Sequence, residues 1–159
     1  MTLFFIILAL VTTLIHLAVK KAFKDEPKRI EIILLNFIVV IIGGSSLLAA
    51  AGHLLIPDQI AESIGWPTGS PFQTEVGLAN LGFGIAAVMG IWFRKTFWLS
   101  TIISSGVFLF GDGVGHVYQM IAHGDYAENN AGIIMYTDFL IPIAGLILYS
   151  RYNKSLKNG

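Results

Sequence analysis

The chain has 159 residues, of which 55% are hydrophobic and only 13% are charged. A water-soluble domain carries about 25% charged residues, so the composition favours a membrane protein over a soluble one. There is no cysteine, which excludes disulfides, thiolate metal sites and cysteine nucleophiles. The net charge is zero and basic residues occur only in short connecting and terminal segments, so we expect no nucleic-acid partner.

Five apolar segments are long enough to cross a bilayer, since a spanning helix needs about 20 mostly apolar residues. The sequence therefore predicts an all-α integral membrane protein, a single domain over residues 1–159 with a bundle of five transmembrane helices. A short interfacial helix is predicted over residues 58–64, capped by Asp58, ended by Gly65 and anchored by Trp66. The five spans cover residues 3–19, 32–55, 72–93, 97–121 and 133–149.

The basic residues predict the orientation of these spans. All ten Lys and Arg fall before span two, between spans three and four, or after span five, and the loops 57–71 and 123–130 contain none. The positive-inside rule therefore places the N-terminus outside and the C-terminus in the cytoplasm. No basic residue precedes the first apolar segment, so we interpret that segment as an uncleaved anchor rather than a signal peptide.

Small residues predict how the spans pack, because helices in lipid associate through close backbone approach. Span three carries Gly82, Ala86 and Gly90 at a spacing of four, and span four carries Gly111 and Gly115 at the same spacing. We therefore expect spans two, three and four to form the centre of the bundle.

Ionisable residues inside a span are costly and point to function. Asp112, His116, Gln119 and His123 follow one another in span four at helical spacing. On an ideal helix they fall within about 60° of one another, so they form one polar stripe. The rest of this helix is apolar or glycine, so we expect the stripe to face protein or water.

Span five adds Asp138 at a depth similar to that of His116. Pro142 follows four residues later and has no N–H to donate to the carbonyl of Asp138, which leaves that oxygen free for a cation. Further polar side chains are expected near the same outer surface. These are Asn80, Glu75, Gln73, Gln119, His53 and His123.

These residues permit several functions. The leading expectation is a divalent metal ion (Zn, Mn or Fe) held by Asp112, His116 and Asp138. The alternatives are a proton- or ion-coupled small-solute carrier and a structural or accessory subunit of a larger membrane complex. Haem between His53 and His116 ranks below these. We also expect contact with the lipid bilayer and a homo-oligomer or larger complex. No soluble-enzyme motif occurs, and whether the chain is an enzyme stays open.

Several motifs together resemble a known family. They are Gly65-Trp66-Pro67, the stretch 70–77, Asn80, Gly111-Asp112 with Gly115-His116, Asn130-Ala131-Gly132 and Asp138. The chain is similar in these to a family of small bacterial multi-span membrane proteins of unknown function, and more loosely to DoxX-like proteins. The closer resemblance covers residues 43–149. It implies the cytoplasmic membrane of a prokaryote, and it implies no activity and no ligands.

Overall fold

A computed structural model describes residues 2–158. Within that range the chain is helical throughout its regular structure and contains no strand. We number seven helices in chain order. They are α1 (Thr2–Val19), α2 (Glu26–Leu55), α3 (Pro57–Ile64), α4 (Phe72–Met89), α5 (Thr96–His123), α6 (Glu128–Ala131) and α7 (Ile133–Asn158).

Four stretches of helix are long and apolar enough to cross a membrane: Thr2–Val19, Glu26–Leu55, Thr96–His123 and Glu128–Lys157. Helix α4 occupies the position of the predicted third span but does not reach this level of apolarity. Gln73, Glu75 and Asn80 interrupt its first half. Helices lie at all five predicted positions, and four of them qualify as spans by length and composition.

Helix α2 begins six residues before the predicted span. Asp25 caps it by accepting a hydrogen bond from the backbone N–H of Lys28 (3.2 Å), and Pro27 lies in the first turn, where its missing N–H costs nothing. The Lys28 ammonium lies 2.9 Å from the same carboxylate, and these hydrogen bonds hold the pKa of Asp25 below its usual value. The middle of α2, Phe37–Gly44, is π-helical, which the apolar pattern does not predict.

The predicted short helix is present as α3, and Gly65 ends it in the left-handed conformation (φ 86°) as expected. Its start differs from the prediction. Pro57 opens the helix, no side chain caps it, and Asp58 instead accepts a hydrogen bond from the backbone N–H of Gly69 at 2.8 Å. Trp66 also differs, because its ring packs against Phe72 (5.7 Å between centroids) and faces a cavity rather than standing as an interfacial anchor.

Two helix pairs form the body of the protein. The C-terminal part of α2 packs on α4, and α5 packs on α7, while α4 and α5 touch each other less. Helix α2 also contacts α1 and α7, so it is the central helix. We expected spans two, three and four to form the centre of the bundle. The structure instead has two helix pairs that are joined through α2.

Some of the glycines at these contacts differ from those predicted. Gly84 lies where a Cβ would come within 2.7 Å of Leu47, and Gly106 packs on Pro142. In contrast, no atom outside the glycine's own stretch of helix lies within 4 Å of the Cβ position of Gly82, Gly111 or Gly115 in residues 2–158. Spacing alone could not distinguish these faces, since glycine and alanine occur on several sides of both helices.

Two other small residues predicted to pack, Ala86 in α4 and Gly90 directly after it, are placed differently from Gly82. Ala86 is partly buried. Gly90 does pack closely, because the indole N–H of Trp98 donates to its carbonyl at 2.8 Å.

Trp98 packs at the end of the molecule that carries the basic residues. Its side chain is fully buried and packs on Tyr152, and Arg94 lies over its ring while pairing with Glu31. The start of α2, the turn before α5 and the end of α7 therefore meet at one end. The opposite end carries α3, α6 and the loop containing Trp66.

Candidate functional site

A cavity of about 310 Å³ opens between α2, α4, α5 and α7, in the half of the bundle that carries α3 and α6. We call it the outer cavity. Its wall is mostly apolar and includes the rings of Trp66, Phe72 and Phe108. The polar side chains that line it are Thr2, Ser45, Ser46, His53, Asn80, Asp112, His116, Asn129, Thr137 and Asp138.

The centre of this cavity is a histidine–aspartate pair between α5 and α7. The Nε2 atom of His116 lies 3.6 Å from Oδ2 of Asp138. Both residues are buried, with 7% and 5% of their surface exposed. Gly113 allows α5 to lie close to α7, since a Cβ at this position would come within 2.8 Å of the ring of Phe139 in α7.

The other nitrogen of His116 is held by Asn130, which is fully buried. The distance from Nδ1 of His116 to Oδ1 of Asn130 is 2.7 Å. The Asn130 amide group donates to the backbone carbonyls of Asp125 (2.7 Å) and His116 (3.4 Å), which makes its oxygen the acceptor. His116 therefore carries its proton on Nδ1, and Nε2 faces Asp138.

This tautomer has an electrostatic consequence. A neutral His116 would point a lone pair at a carboxylate, which is repulsive. The pair is complementary only when it carries one more proton, either as imidazolium with carboxylate or as imidazole with carboxylic acid. The 3.6 Å separation of Nε2 and Oδ2 is an electrostatic contact and is longer than a hydrogen bond.

Asp112 lines the same cavity from α5, one helical turn before His116. Its side chain is partly buried and makes no hydrogen bond within residues 2–158. No Lys or Arg lines the cavity in the described range. Two carboxyl groups therefore face the same space, and the basic side chains in its wall are His53 and His116.

The predicted metal ligands all reach this cavity, but they do not form a metal site. The described residues contain no group of three His, Asp or Glu side chains arranged to hold a metal ion. Nδ1 of His116 is bound to Asn130, and Asp112 is not part of the His116–Asp138 pair. The expectation of a divalent metal therefore lacks support from this geometry. No haem is indicated either, and that expectation stays untested.

The secondary polar residues divide into two groups. His53 and Gln73 meet through a 2.6 Å contact between Nδ1 and Oε1, so the C-terminal end of α2 is joined to the N-terminal end of α4. Asn80 lines the cavity but donates to the carbonyl of Val76 in its own helix, not to Asp138. The remaining three do not line the cavity. Glu75 and His123 are exposed, and Gln119 is partly buried.

Only two of the four residues in the polar stripe predicted along α5 therefore line the cavity. Asp112 and His116 reach the cavity, whereas His123 packs its ring on Tyr118 (5.6 Å) at the end of the helix. Helix α7 continues through Pro142, so the carbonyl of Asp138 has no i+4 donor but the helix does not open into a broken segment.

Sequence reasoning missed Asn130 and Trp66 as parts of the site. Asn130 lies in a loop by hydropathy, and the only signal was its place in the Asn130-Ala131-Gly132 motif. Trp66 lies 6.4 Å from the ring of His116, and its buried indole nitrogen has no hydrogen-bond partner in the described range. An aromatic residue after a short outer helix looks the same in sequence whether it faces lipid or protein.

Comparison with known proteins gives one match. A model for a family of unknown function, DUF6790, matches residues 1–158, which includes the first span that the sequence resemblance left out. No curated protein and no solved structure gives a significant match. The chain therefore belongs to the family of unknown function DUF6790.

Proposed function

We propose that the chain is a five-span protein of a prokaryotic cytoplasmic membrane, with its N-terminus outside and its C-terminus inside. Four apolar helical stretches and the position of α4 between them support five spans. Large apolar side chains are exposed along the outer faces of the helices, which suits lipid as the surrounding medium. The basic residues gather at the end organised by Trp98, so the outer cavity opens toward the exterior.

We propose further that the outer cavity binds a small organic cation. The observation that carries this proposal is its charge: Asp112 and Asp138 face a space that no Lys or Arg lines within residues 2–158. When His116 is protonated, His53 is neutral and both carboxyl groups are ionised, one negative charge remains uncompensated. A monovalent cation would balance it inside the low-dielectric bundle.

The size and walls of the cavity favour an organic cation over a bare ion. A volume of about 310 Å³ lies at the lower end of the range for small-molecule sites, which are mostly apolar with a few placed polar groups. The aromatic rings of Trp66, Phe72 and Phe108 suit the apolar part of an alkylammonium ion, and indole is the best partner for a cation–π contact. A divalent metal would need three grouped ligands, which the described residues do not offer.

Such binding would serve a proton- or ion-coupled carrier for a small solute. The His116–Asp138 pair supplies a proton that can move when a cation enters, because a cation and that proton compete for the same carboxylate. We expect the chain to act as a homo-oligomer, since five helices enclose little space for a complete path. A purely structural role would need neither the cavity nor its unbalanced carboxylates.

The experiment varies the charge of the ligand at constant shape. Purified protein in nanodiscs is titrated with choline and with its uncharged carbon isostere, dimethylbutanol, while tryptophan fluorescence is recorded. Saturable quenching by choline alone is expected, and a Trp66→Phe variant should lose most of the signal because Trp92 and Trp98 do not line the cavity. Equal responses to both ligands, or none to choline, would overturn the proposal.

A further inference from the structure

A second cavity, of about 490 Å³, lies at the basic end of the molecule between the start of α2 and the end of α7. We call it the inner cavity. It shares no residue with the outer cavity and takes no part in the function proposed above. Its lining residues are Glu26, Pro27, Arg29, Ile30, Ile33, Leu148, Arg151, Lys154 and Ser155.

The charge of the inner cavity is opposite to that of the outer one. Arg29, Arg151 and Lys154 supply three positive charges, and Glu26 is the only carboxylate, which leaves an excess of two. Arg29 is held in place because its Nη1 donates to the backbone carbonyl of Phe23 at 2.7 Å. Its remaining guanidinium N–H groups make no hydrogen bond within residues 2–158, so they can donate to a ligand. Guanidinium groups match the geometry of a phosphate, to which they donate two parallel hydrogen bonds.

The charged and apolar residues of this cavity are separated along the membrane normal. In α2, Glu26 and Arg29 come first and Ile30 and Ile33 follow deeper in the helix. Helix α7 runs the opposite way, so Leu148 lies deeper than Arg151 and Lys154. The cavity therefore has a cationic end at the interface and an apolar end toward the bilayer core, which is the polarity of a phospholipid.

We propose that the inner cavity binds the phosphate headgroup of an anionic phospholipid of the cytoplasmic leaflet, with the lipid's first acyl carbons against Ile30, Ile33 and Leu148. Basic pockets between helices on the cytoplasmic side recognise such headgroups. The inference rests on the proposed membrane topology, but not on the ligand of the outer cavity. Such a lipid would hold the start of α2 and the end of α7 together at the interface.

The experiment measures lipid retention and stabilisation of the full chain. Delipidated protein in detergent is titrated with phosphatidylglycerol, with phosphatidylcholine and with inorganic phosphate, and native mass spectrometry and thermal unfolding follow binding. The test variant is Arg151→Gln with Lys154→Gln. The matched control is Lys24→Gln with Lys157→Gln, which removes two exposed positive charges from the same end of the protein without touching the cavity.

The expected result is selective binding of phosphatidylglycerol by the wild type. The Arg151/Lys154 variant should bind it on the order of tenfold more weakly, and the Lys24/Lys157 control should bind it within about twofold of the wild type. Equal losses in both variants would overturn the proposal, since they would show diffuse charge attraction only. Equal effects of the two lipids, or full reproduction by inorganic phosphate, would overturn it as well. Choline binding at the outer cavity, measured on the same variants, should not change.

Discussion

Asp138 in α7 faces Nε2 of His116 in α5 at 3.6 Å, and Asn130 holds the opposite nitrogen of the same imidazole at 2.7 Å. This arrangement fixes the orientation of the ring and leaves Nε2 for the carboxyl group. Removing one partner of a buried ion pair strongly destabilises a protein, because the other partner stays buried without a compensating charge. The two residues should therefore behave as a coupled unit.

A double-mutant cycle measures that coupling. His116→Ala and Asp138→Ala should each lower the free energy of unfolding in detergent, and the double variant should lose less than their sum, with a coupling energy of about 1 to 3 kcal/mol. Thermal or SDS-induced unfolding followed by circular dichroism gives the values. His123→Ala combined with Asp138→Ala is the control, because His123 is exposed and distant from the pair. Additive effects for His116 and Asp138 would show that the residues do not interact.

Asn130 should matter more than its neighbour Asn129. Asn130→Ala removes three hydrogen bonds and leaves buried polar groups without partners, at about 1 to 3 kcal/mol for each unsatisfied group. The variant should unfold at a markedly lower temperature and should free the ring of His116 to turn. Asn129→Ala changes an exposed residue of the same type and should leave stability nearly unchanged. Similar stabilities of the two variants would contradict the assigned hydrogen bonds.

The packing of α4 can be tested with a pair of glycines on the same helix. Gly84→Ala would bring a Cβ within 2.7 Å of Leu47 and 3.1 Å of its backbone nitrogen, so we expect a loss of about 1 to 3 kcal/mol from overpacking. Gly82→Ala meets open space, and alanine favours a helix over glycine by about 1 kcal/mol. That variant should be neutral or more stable. The opposite order in thermal unfolding would show that α4 presents its other face to α2.

The glycines also show what the sequence could predict and what it could not. Apolar length located all five long helices, although α2 begins six residues earlier and α7 ends nine residues later than predicted. Gly65 marked the end of α3 correctly. Which glycine-bearing face of a helix packs on a neighbour depends on the larger residues of that neighbour, such as Leu47 against Gly84 and Pro142 against Gly106. These partners come from distant parts of the chain, so local spacing does not reveal them.

The same limit applies to the site. The cost of burying Asp112, His116 and Asp138 in apolar helices identified them from sequence, and the structure brings all three to one cavity. The metal expectation assumed that shared depth means shared coordination. Shared depth is not enough here, because Asn130 is bound to one nitrogen of His116. Asn130 lies in the short helix α6, a segment whose hydropathy is that of a solvent-exposed loop.

The absence of cysteine from the chain makes the topology easy to test. Tyr126→Cys in the outer loop and Asn153→Cys near the end of α7 each introduce a single thiol at an exposed position. A membrane-impermeant maleimide should label the Tyr126 variant in intact cells and the Asn153 variant only after permeabilisation. The reverse pattern would invert the bundle and place the outer cavity on the cytoplasmic side, and labelling of both in intact cells would rule out the proposed number of spans.

The most direct measurement is the binding of tetramethylammonium to the protein in nanodiscs by isothermal titration calorimetry. The test variant is Asp112→Asn with Asp138→Asn, which keeps the shapes and removes the charges. The control is Glu62→Gln with Glu75→Gln, which removes two exposed carboxylates from the same end of the molecule. Circular dichroism checks that both variants are folded. We expect the test variant to bind at least about tenfold more weakly, a loss of about 1.4 kcal/mol, and the control to bind as the wild type does. Unchanged binding by the Asp112/Asp138 variant, or no binding by the wild type, would contradict the assignment of the outer cavity as a cation site.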